Sequence, residues 1–210
     1  MTDEPGSKAV IRARLRGNRA SLDAAARERA GAGLRRTIGA WWQENAGNDG
    51  SGTGTVASFQ PMPSEPPVDT VNTALHERGA PVLLPVCEPD FQLRWAAWTP
   101  GTPLVRSGIV PIDHPEGPTV DLADPDGASP SVALMLIPAL AVDATGQRLG
   151  QGGGYYDRFL ARWRSLPTRG LLAAVVYEDE VLPAGSFEVL PHDQPVDLVF
   201  TPDGVLDLRP

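Results

Sequence analysis

Residues 148–158 read Arg-Leu-Gly-Gln-Gly-Gly-Gly-Tyr-Tyr-Asp-Arg, residue types that at this spacing suit the binding of a phosphate. Four glycines in five positions let the backbone take φ > 0 and approach a ligand closely, so that successive N–H groups converge on an anion at a helix N-terminus. Arg148 and Arg158 bracket the loop with guanidinium groups, whose planar fork of donors matches phosphate. Asp157 adds a hard carboxylate oxygen of the kind magnesium takes. Glycine clusters also make ordinary turns, so the flanking elements must decide: a phosphate loop needs a strand before it and a helix after it.

Both flanks comply. Residues 133–137, Ala-Leu-Met-Leu-Ile, form a continuous apolar run, the pattern of a strand buried on both faces. Beyond the loop, Tyr156, Phe159, Leu160 and Trp163 recur at i, i+3, i+4 and i+7, one apolar stripe of a helix. No Gly-Lys-Ser/Thr occurs, which excludes the common P-loop. Upstream, 55–59 reads as a strand, 68–78 as a helix closed by Gly79, and 82–86 as a strand; this β-α-β unit implies parallel strands with a right-handed crossover. A second unit spans 133–176 and carries the glycine loop at the carboxyl end of its first strand, where open α/β sheets place ligands. Residues 91–98 alternate like a hairpin-forming strand, 99–130 read as surface loop, 187–190 and 198–201 as final short strands, and the last residues as a tail. The expected fold is α/β: a single domain over 1–210 with a mainly parallel central sheet flanked by helices. It divides into N-terminal helices (1–46), a flexible Gly/Asn/Ser loop (47–54) and an α/β body (55–205).

The chain carries a formal net charge of −8, which argues against a nucleic-acid partner. Positive charge is concentrated instead: eight arginines and the only lysine, Lys8, lie in the first 36 residues. Ser7 is placed to cap a helix running to about Arg16, and Ser21 a second running to about Gln43, with Gly17-Asn18 as a break. If the first helix continues, Lys8, Ile11, Arg12, Leu15, Arg19 and Leu22 share one half-apolar, half-cationic face, suited to packing on the body with its basic edge reaching into a cleft. No apolar leader or membrane-length segment is evident, so a cytoplasmic monomer is expected. Cys87 reads as a small apolar residue beside Leu83, Leu84 and Val86. His76, His114 and His192 lack metal-site spacing, Trp41 and Trp42 read as packing anchors, and residues 178–180 (Glu-Asp-Glu) read as a solvated turn. Trp95 and Trp98 are open between core packing and facing a bound ring.

Residues 137–143 (Ile-Pro-Ala-Leu-Ala-Val-Asp), Gly146 and 148–158 together resemble the signature of the 5-formyltetrahydrofolate cyclo-ligase (methenyltetrahydrofolate synthetase) family. The resemblance extends in order through Lys8 and Arg12, through 59–65 (Phe-Gln-Pro-Met-Pro-Ser-Glu), 83–85 (Leu-Leu-Pro) and Val196-Asp197. It implies ATP bound by Lys8, Arg12, Arg148, Leu149, Gly150, Gln151, Gly152, Gly153, Gly154, Tyr155 and Tyr156. It implies a folate substrate bound by Met62, Glu65 and Gln151 through Tyr155, and magnesium held by Asp157 and Asp197. Lys8, Arg148 and Glu65 would serve the reaction itself. Some relatives carry lysine where this chain has Gly153.

The implied reaction closes 5-formyltetrahydrofolate to the 5,10-methenyl form. A formamide oxygen is a poor leaving group, so ATP would phosphorylate it before the neighbouring anilino nitrogen attacks. Phosphoryl transfer is mainly positioning and charge neutralisation, so no nucleophilic side chain is needed. Two other readings stay open on sequence: a nonenzymatic folate- or nucleotide-binding regulator of the same fold, and a sugar-phosphate-binding enzyme. Ligand screening with folates and sugar phosphates, with and without Mg-ATP, separates the three.

Overall fold

In the computed structural model, residues 7–45, 54–126, 129–167, 169–190 and 193–209 are described below. The 47–54 loop expectation, but for Gly54, and His192 fall outside them. Among the described residues there are four α-helices: α1 (Lys8–Ser21), α2 (Ala24–Asn45), α3 (Asp69–Glu77) and α4 (Tyr155–Trp163). The strands in chain order are β1 (Thr55–Ala57), β2 (Val82–Glu88), β3 (Gln92–Trp98), β4 (Leu104–Arg106), β5 (Asp113–Pro115), β6 (Thr119–Val120) and β7 (Val132–Pro138). They continue with β8 (Ala141–Asp143), β9 (Arg148–Leu149), β10 (Leu171–Val175), β11 (Val181–Leu182), β12 (Leu198–Phe200) and β13 (Val205–Asp207).

The main sheet runs β13-β12-β10-β7-β1-β2-β3-β6. Its centre, β12-β10-β7-β1-β2, is parallel throughout, and antiparallel strands close both edges. The sequence of β7 is apolar at nearly every position because helices cover both of its faces. Strand alternation sends Leu134 and Leu136 into one cluster with Leu34, Ile38, Val71 and Leu75 from α2 and α3. Met135 and Ile137 go to the other with Phe159, Leu160 and Trp163 from α4. The four central β7 residues are fully buried, so the strand end that reaches the cavity at Pro138 is fixed by packing on two sides; the glycine loop itself follows two further short strands, β8 and β9, rather than β7 directly.

Several local expectations are corrected. Helix α1 runs through Gly17-Asn18 to Ser21, because its buried stripe Ile11, Leu15, Arg19 continues unbroken across them. The break falls at Leu22-Asp23, and Asp23 rather than Ser21 caps α2, its Oδ1 accepting from the Ala26 N–H at 2.7 Å. The 99–130 stretch contains β4, β5 and β6 rather than loop alone. Residues 187–190 form no strand, whereas the expected tail contributes β13, paired antiparallel to β12. Glu180 is not solvated: it is 1% exposed, because it neutralises a buried arginine of α1. Trp95 is fully buried against Phe159 and is a core residue, and Trp98 is half-buried against the edge of the α2/α3 cluster. Among the described residues, no helix is long and apolar enough to cross a membrane.

Candidate active site

A short three-stranded sheet, β11-β8-β9, aims the glycine loop. Its β8–β9 turn is organised by Asp143, which is 1% exposed. One Asp143 oxygen accepts from the Thr145 N–H, the Thr145 hydroxyl and the Gln147 N–H, and the other from the Gly185 N–H. That turn delivers Arg148, which donates to Asp157 in the first turn of α4. Arg148 is nearly covered, 6% exposed at its side chain, whereas Asp157 keeps 40%. Gly152 and Gly154 take φ of +97° and +77°, a backbone conformation that side-chain-bearing residues rarely adopt, and Gly154 leads directly into α4. Two buried polar atoms here have no partner, Arg148 Nε and the Tyr156 hydroxyl.

Helix α1 braces the loop from outside. Arg12 Nε donates to the Gly150 carbonyl at 2.9 Å. Arg16 reaches Gln151 twice, at its carbonyl (2.8 Å) and at its side-chain oxygen (3.2 Å). Arg19, 1% exposed, grips both oxygens of Glu180 at 2.6 and 2.8 Å and the Ala139 carbonyl at 2.5 Å. Lys8 lies one turn before Arg12 on the same stripe, and its ammonium is 2.8 Å from Asp193. The paired Arg19 ties the helix to the body, while Arg12 and Arg16 position the loop backbone.

The opposite wall is the segment after β1. Glu65, 5% exposed, accepts from the Met62 N–H at 3.0 Å and from Gln151 Nε2 at 3.4 Å, while its carbonyl takes the Tyr177 hydroxyl at 3.2 Å. Burial pushes the Glu65 carboxyl above its ordinary range, opposed by the Met62 N–H, the Arg19 charge and Gln151. Between this wall and the glycine loop lies a cavity of about 200 Å³. Its floor includes Phe59, Pro85, Cys87 and Leu93, and the β4–β5 hairpin covers it with Val110, Ile112 and His114. Burial pushes the Cys87 thiol up to about 11, so it faces the cavity as a neutral, weakly polar group. Burial also raises Tyr156 well above its ordinary value, keeping it a protonated donor.

Of the residues singled out from sequence, Met62, Glu65, Arg148, Gly150, Gln151, Gly152, Gly153, Gly154, Tyr155, Tyr156 and Asp157 all border this one cavity. Arg12 touches the loop without bordering the cavity. Leu149 instead packs with Ile11 and Leu15 beneath the loop. Asp197 is not brought to the site: its oxygens take Arg164, Arg169 and the Leu172 N–H near the other end of α4. Among the described residues, no group of three or more His, Cys, Asp or Glu could hold a metal ion. Arg158 also departs from expectation, turning from the loop to lie 4.4 Å over the Phe91 ring. Sequence reasoning missed Arg16, which the i, i+4, i+8 stripe from Lys8 could have flagged. It also missed the hairpin residues and the cavity positions of Cys87 and His114, for which no local signal exists.

With that geometry established, comparison with known proteins is decisive. Residues 4–202 match the 5-formyltetrahydrofolate cyclo-ligase family. The chain belongs to this family. A protein named 5-formyltetrahydrofolate cyclo-ligase from Mycolicibacterium smegmatis is 35% identical over 212 residues, covering 98% of this chain and 99% of its own. The solved structure of 5,10-methenyltetrahydrofolate synthetase from Aquifex aeolicus superposes with a TM-score of 0.68 at 26% identity, over 97% of this chain and 93% of that one. The synthetase from Mycoplasma pneumoniae shares the fold at a TM-score of 0.70 and 18% identity, over 94% and 99%. The α/β fold described above is therefore shared with these synthetases.

Proposed function

We propose that the protein closes 5-formyltetrahydrofolate to 5,10-methenyltetrahydrofolate, using ATP with magnesium and releasing ADP and phosphate. One observation carries this reading: a buried carboxylate, Glu65, and a glycine loop with its own arginine and half-exposed carboxylate border the same cavity. A simple nucleotide binder needs no Glu65, and a folate binder needs no Arg148 and Asp157. Small-molecule substrates, a monomer and a cytoplasmic setting complete the reading.

The residues present fit the nucleotide. Arg148 Nε is buried without a partner and the loop backbone is freed by two left-handed glycines, as an anion cradle requires. Arg12 and Lys8 extend the positive stripe from α1. Magnesium bound with a nucleotide takes one or two carboxylates, phosphate oxygens and water, so Asp157 alone is a sufficient protein ligand. Asp157 would hold the ion, which would supply charge neutralisation to the phosphates during transfer.

The formyl oxygen attacks the γ-phosphorus and ADP departs. The N10 lone pair then attacks the formyl carbon, the ring closes, N10 loses its proton, and phosphate leaves carrying the formyl oxygen. Arg148 offsets the charge growing on the transferred group, and Gln151, held by Arg16, spans the gap between loop and Glu65. Glu65 accepts hydrogen bonds from the pterin head and fixes N5 and N10 relative to the phosphate, and the apolar wall excludes competing water. Incubating the protein with Mg-ATP and 5-formyltetrahydrofolate should generate the methenyl absorbance together with one ADP per turnover. ADP without methenyl product, or neither product, contradicts the reading.

A further inference from the structure

The turn between β2 and β3 holds an arrangement that the cyclisation does not use. Asp90 and Phe91 both have φ of +59°, and for an aromatic residue that backbone conformation is an outlier that persists only where its surroundings hold it. The strain does not bury the ring, since Phe91 is 45% exposed. It sets the ring against two partners instead. The Tyr155 ring lies 5.5 Å away, and the Arg158 guanidinium lies 4.4 Å from the ring centroid. Tyr155 also lines the cavity, so this exposed cluster is continuous with the site.

A guanidinium laid on an aromatic face spends its flat surface on the ring and keeps its in-plane N–H groups for an anion. Arg158 has no carboxylate partner among the described residues; its one hydrogen bond is a long contact of 3.5 Å to the Asp90 carbonyl. The acidic side chains around this turn are the exposed Asp90 and Glu88, itself 4.0 Å from Arg94, while Asp157 beside Arg158 in sequence is paired with Arg148. A cavity of about 200 Å³ is below the roughly 300–1,000 Å³ of pockets that enclose a drug-sized ligand. It seats a fused bicyclic head, and the remainder of a folate must leave over the rim. The remainder is an aminobenzoyl ring followed by glutamyl carboxylates, an aromatic unit and then anions, the same order as Tyr155, Phe91 and Arg158.

We infer that Phe91, Tyr155 and Arg158 form a rim subsite for the aminobenzoyl-glutamyl tail, with Arg158 binding tail carboxylates. This rests on the folate reading of the cavity. The test compares monoglutamyl and triglutamyl 5-formyltetrahydrofolate, by turnover and by calorimetric binding without ATP, in the native protein, Arg158→Ala, Arg158→Lys and Phe91→Ala. The native protein should favour the triglutamyl form. Arg158→Ala should raise its KM and Kd by about 5-fold or more, as loss of a charge-assisted contact does, leaving kcat and the KM for ATP in place. Arg158→Lys should recover only part of the preference, and Phe91→Ala should weaken both folates. Turnover with equal preference for the two tails in native protein and Arg158→Ala overturns the subsite and leaves the cyclisation standing. So does a rise in the KM for ATP alone, which would give Arg158 to the phosphates. No turnover, with triglutamate binding still weakened by Arg158→Ala, sinks the cyclisation and keeps the subsite.

Discussion

The two ends of α4 carry the same chemical pairing, arginine with aspartate, to different purposes. At the N-terminal end Asp157 meets Arg148 beside the cavity, keeps 40% of its side chain exposed, and its partner retains a buried N–H without an acceptor. Near the C-terminal end Asp197 is 16% exposed and is occupied by Arg164, Arg169 and the Leu172 N–H, tying the helix end to the start of β10. The first pair leaves capacity for a ligand; the second is consumed by the fold. Residue type and short motif alone do not separate them, because the difference lies in what the rest of the chain brings to each carboxylate.

That contrast breaks most sharply on paired substitutions. Asp157→Asn should cut kcat/KM by roughly 100-fold or more, the scale of losing a charge that acts on the transferred group, while the melting temperature stays near that of the native protein. Asp197→Asn should do the reverse, retaining most turnover but losing about 1–3 kcal/mol of stability, because partly buried Arg164 loses its counter-charge. Parallel thermal melts and steady-state kinetics check both. If Asp197→Asn abolishes turnover in a protein that melts normally, the division between the two ends is wrong.

Glu65 gives the next largest effect and a pH signature. Burial holds its carboxyl above the ordinary range despite the Met62 N–H, Arg19 and Gln151. Between the ordinary and the raised value the folded protein binds more proton than the unfolded chain, so this group's contribution to stability falls as pH rises through that window. Above the window the cost of the buried charge is complete. Glu65→Gln removes that dependence, so its melting temperature relative to the native protein should improve as pH rises across the window. Folate KM or kcat should worsen by about 10-fold or more, the scale of losing a hydrogen bond to a charged group, with ATP saturation unaffected. An unchanged folate response would make Glu65 a purely structural carboxylate.

Much of this was legible before any coordinates. The buried run at 133–137, the stripe beginning at Tyr156 and the glycines between them are local patterns, and they located both the sheet and the loop. Hairpin formation by 91–98 was likewise visible in alternation. What escaped was non-local. Glu180 looks like a solvated acid until Arg19, 161 residues away in sequence, is brought against it. The β4–β5 cover is hidden because three-residue strands set in a segment rich in proline and glycine are too short to show a periodicity. Phe91 and Arg158 meet only through the fold, and Asp197 resembled a ligand because a two-residue match carries no information about its neighbours.

Smaller effects sharpen the α1 side of the site. Lys8 is the only lysine, so an amine reagent marks it alone apart from the terminal amine. Mg-ATP should slow that labelling, and Lys8→Ala should raise the KM for ATP; equal labelling rates with and without nucleotide would leave Lys8 to Asp193. At Gly153 an added Cβ would meet only the Tyr155 ring, at 3.9 Å, and φ there is not positive, so Gly153→Lys fits without strain. It should lower the KM for ATP by a few-fold at low salt, about the worth of one exposed charge contact, and the gain should fade at high salt.

The central claim, that this cavity drives ring closure through a phosphorylated formyl group, is tested most directly by the fate of one oxygen. In a single turnover with 5-formyltetrahydrofolate labelled with oxygen-18 in the formyl group, the released phosphate should carry the label. Label appearing in water, with unlabelled phosphate, would contradict transfer of the γ-phosphoryl group to the formyl oxygen.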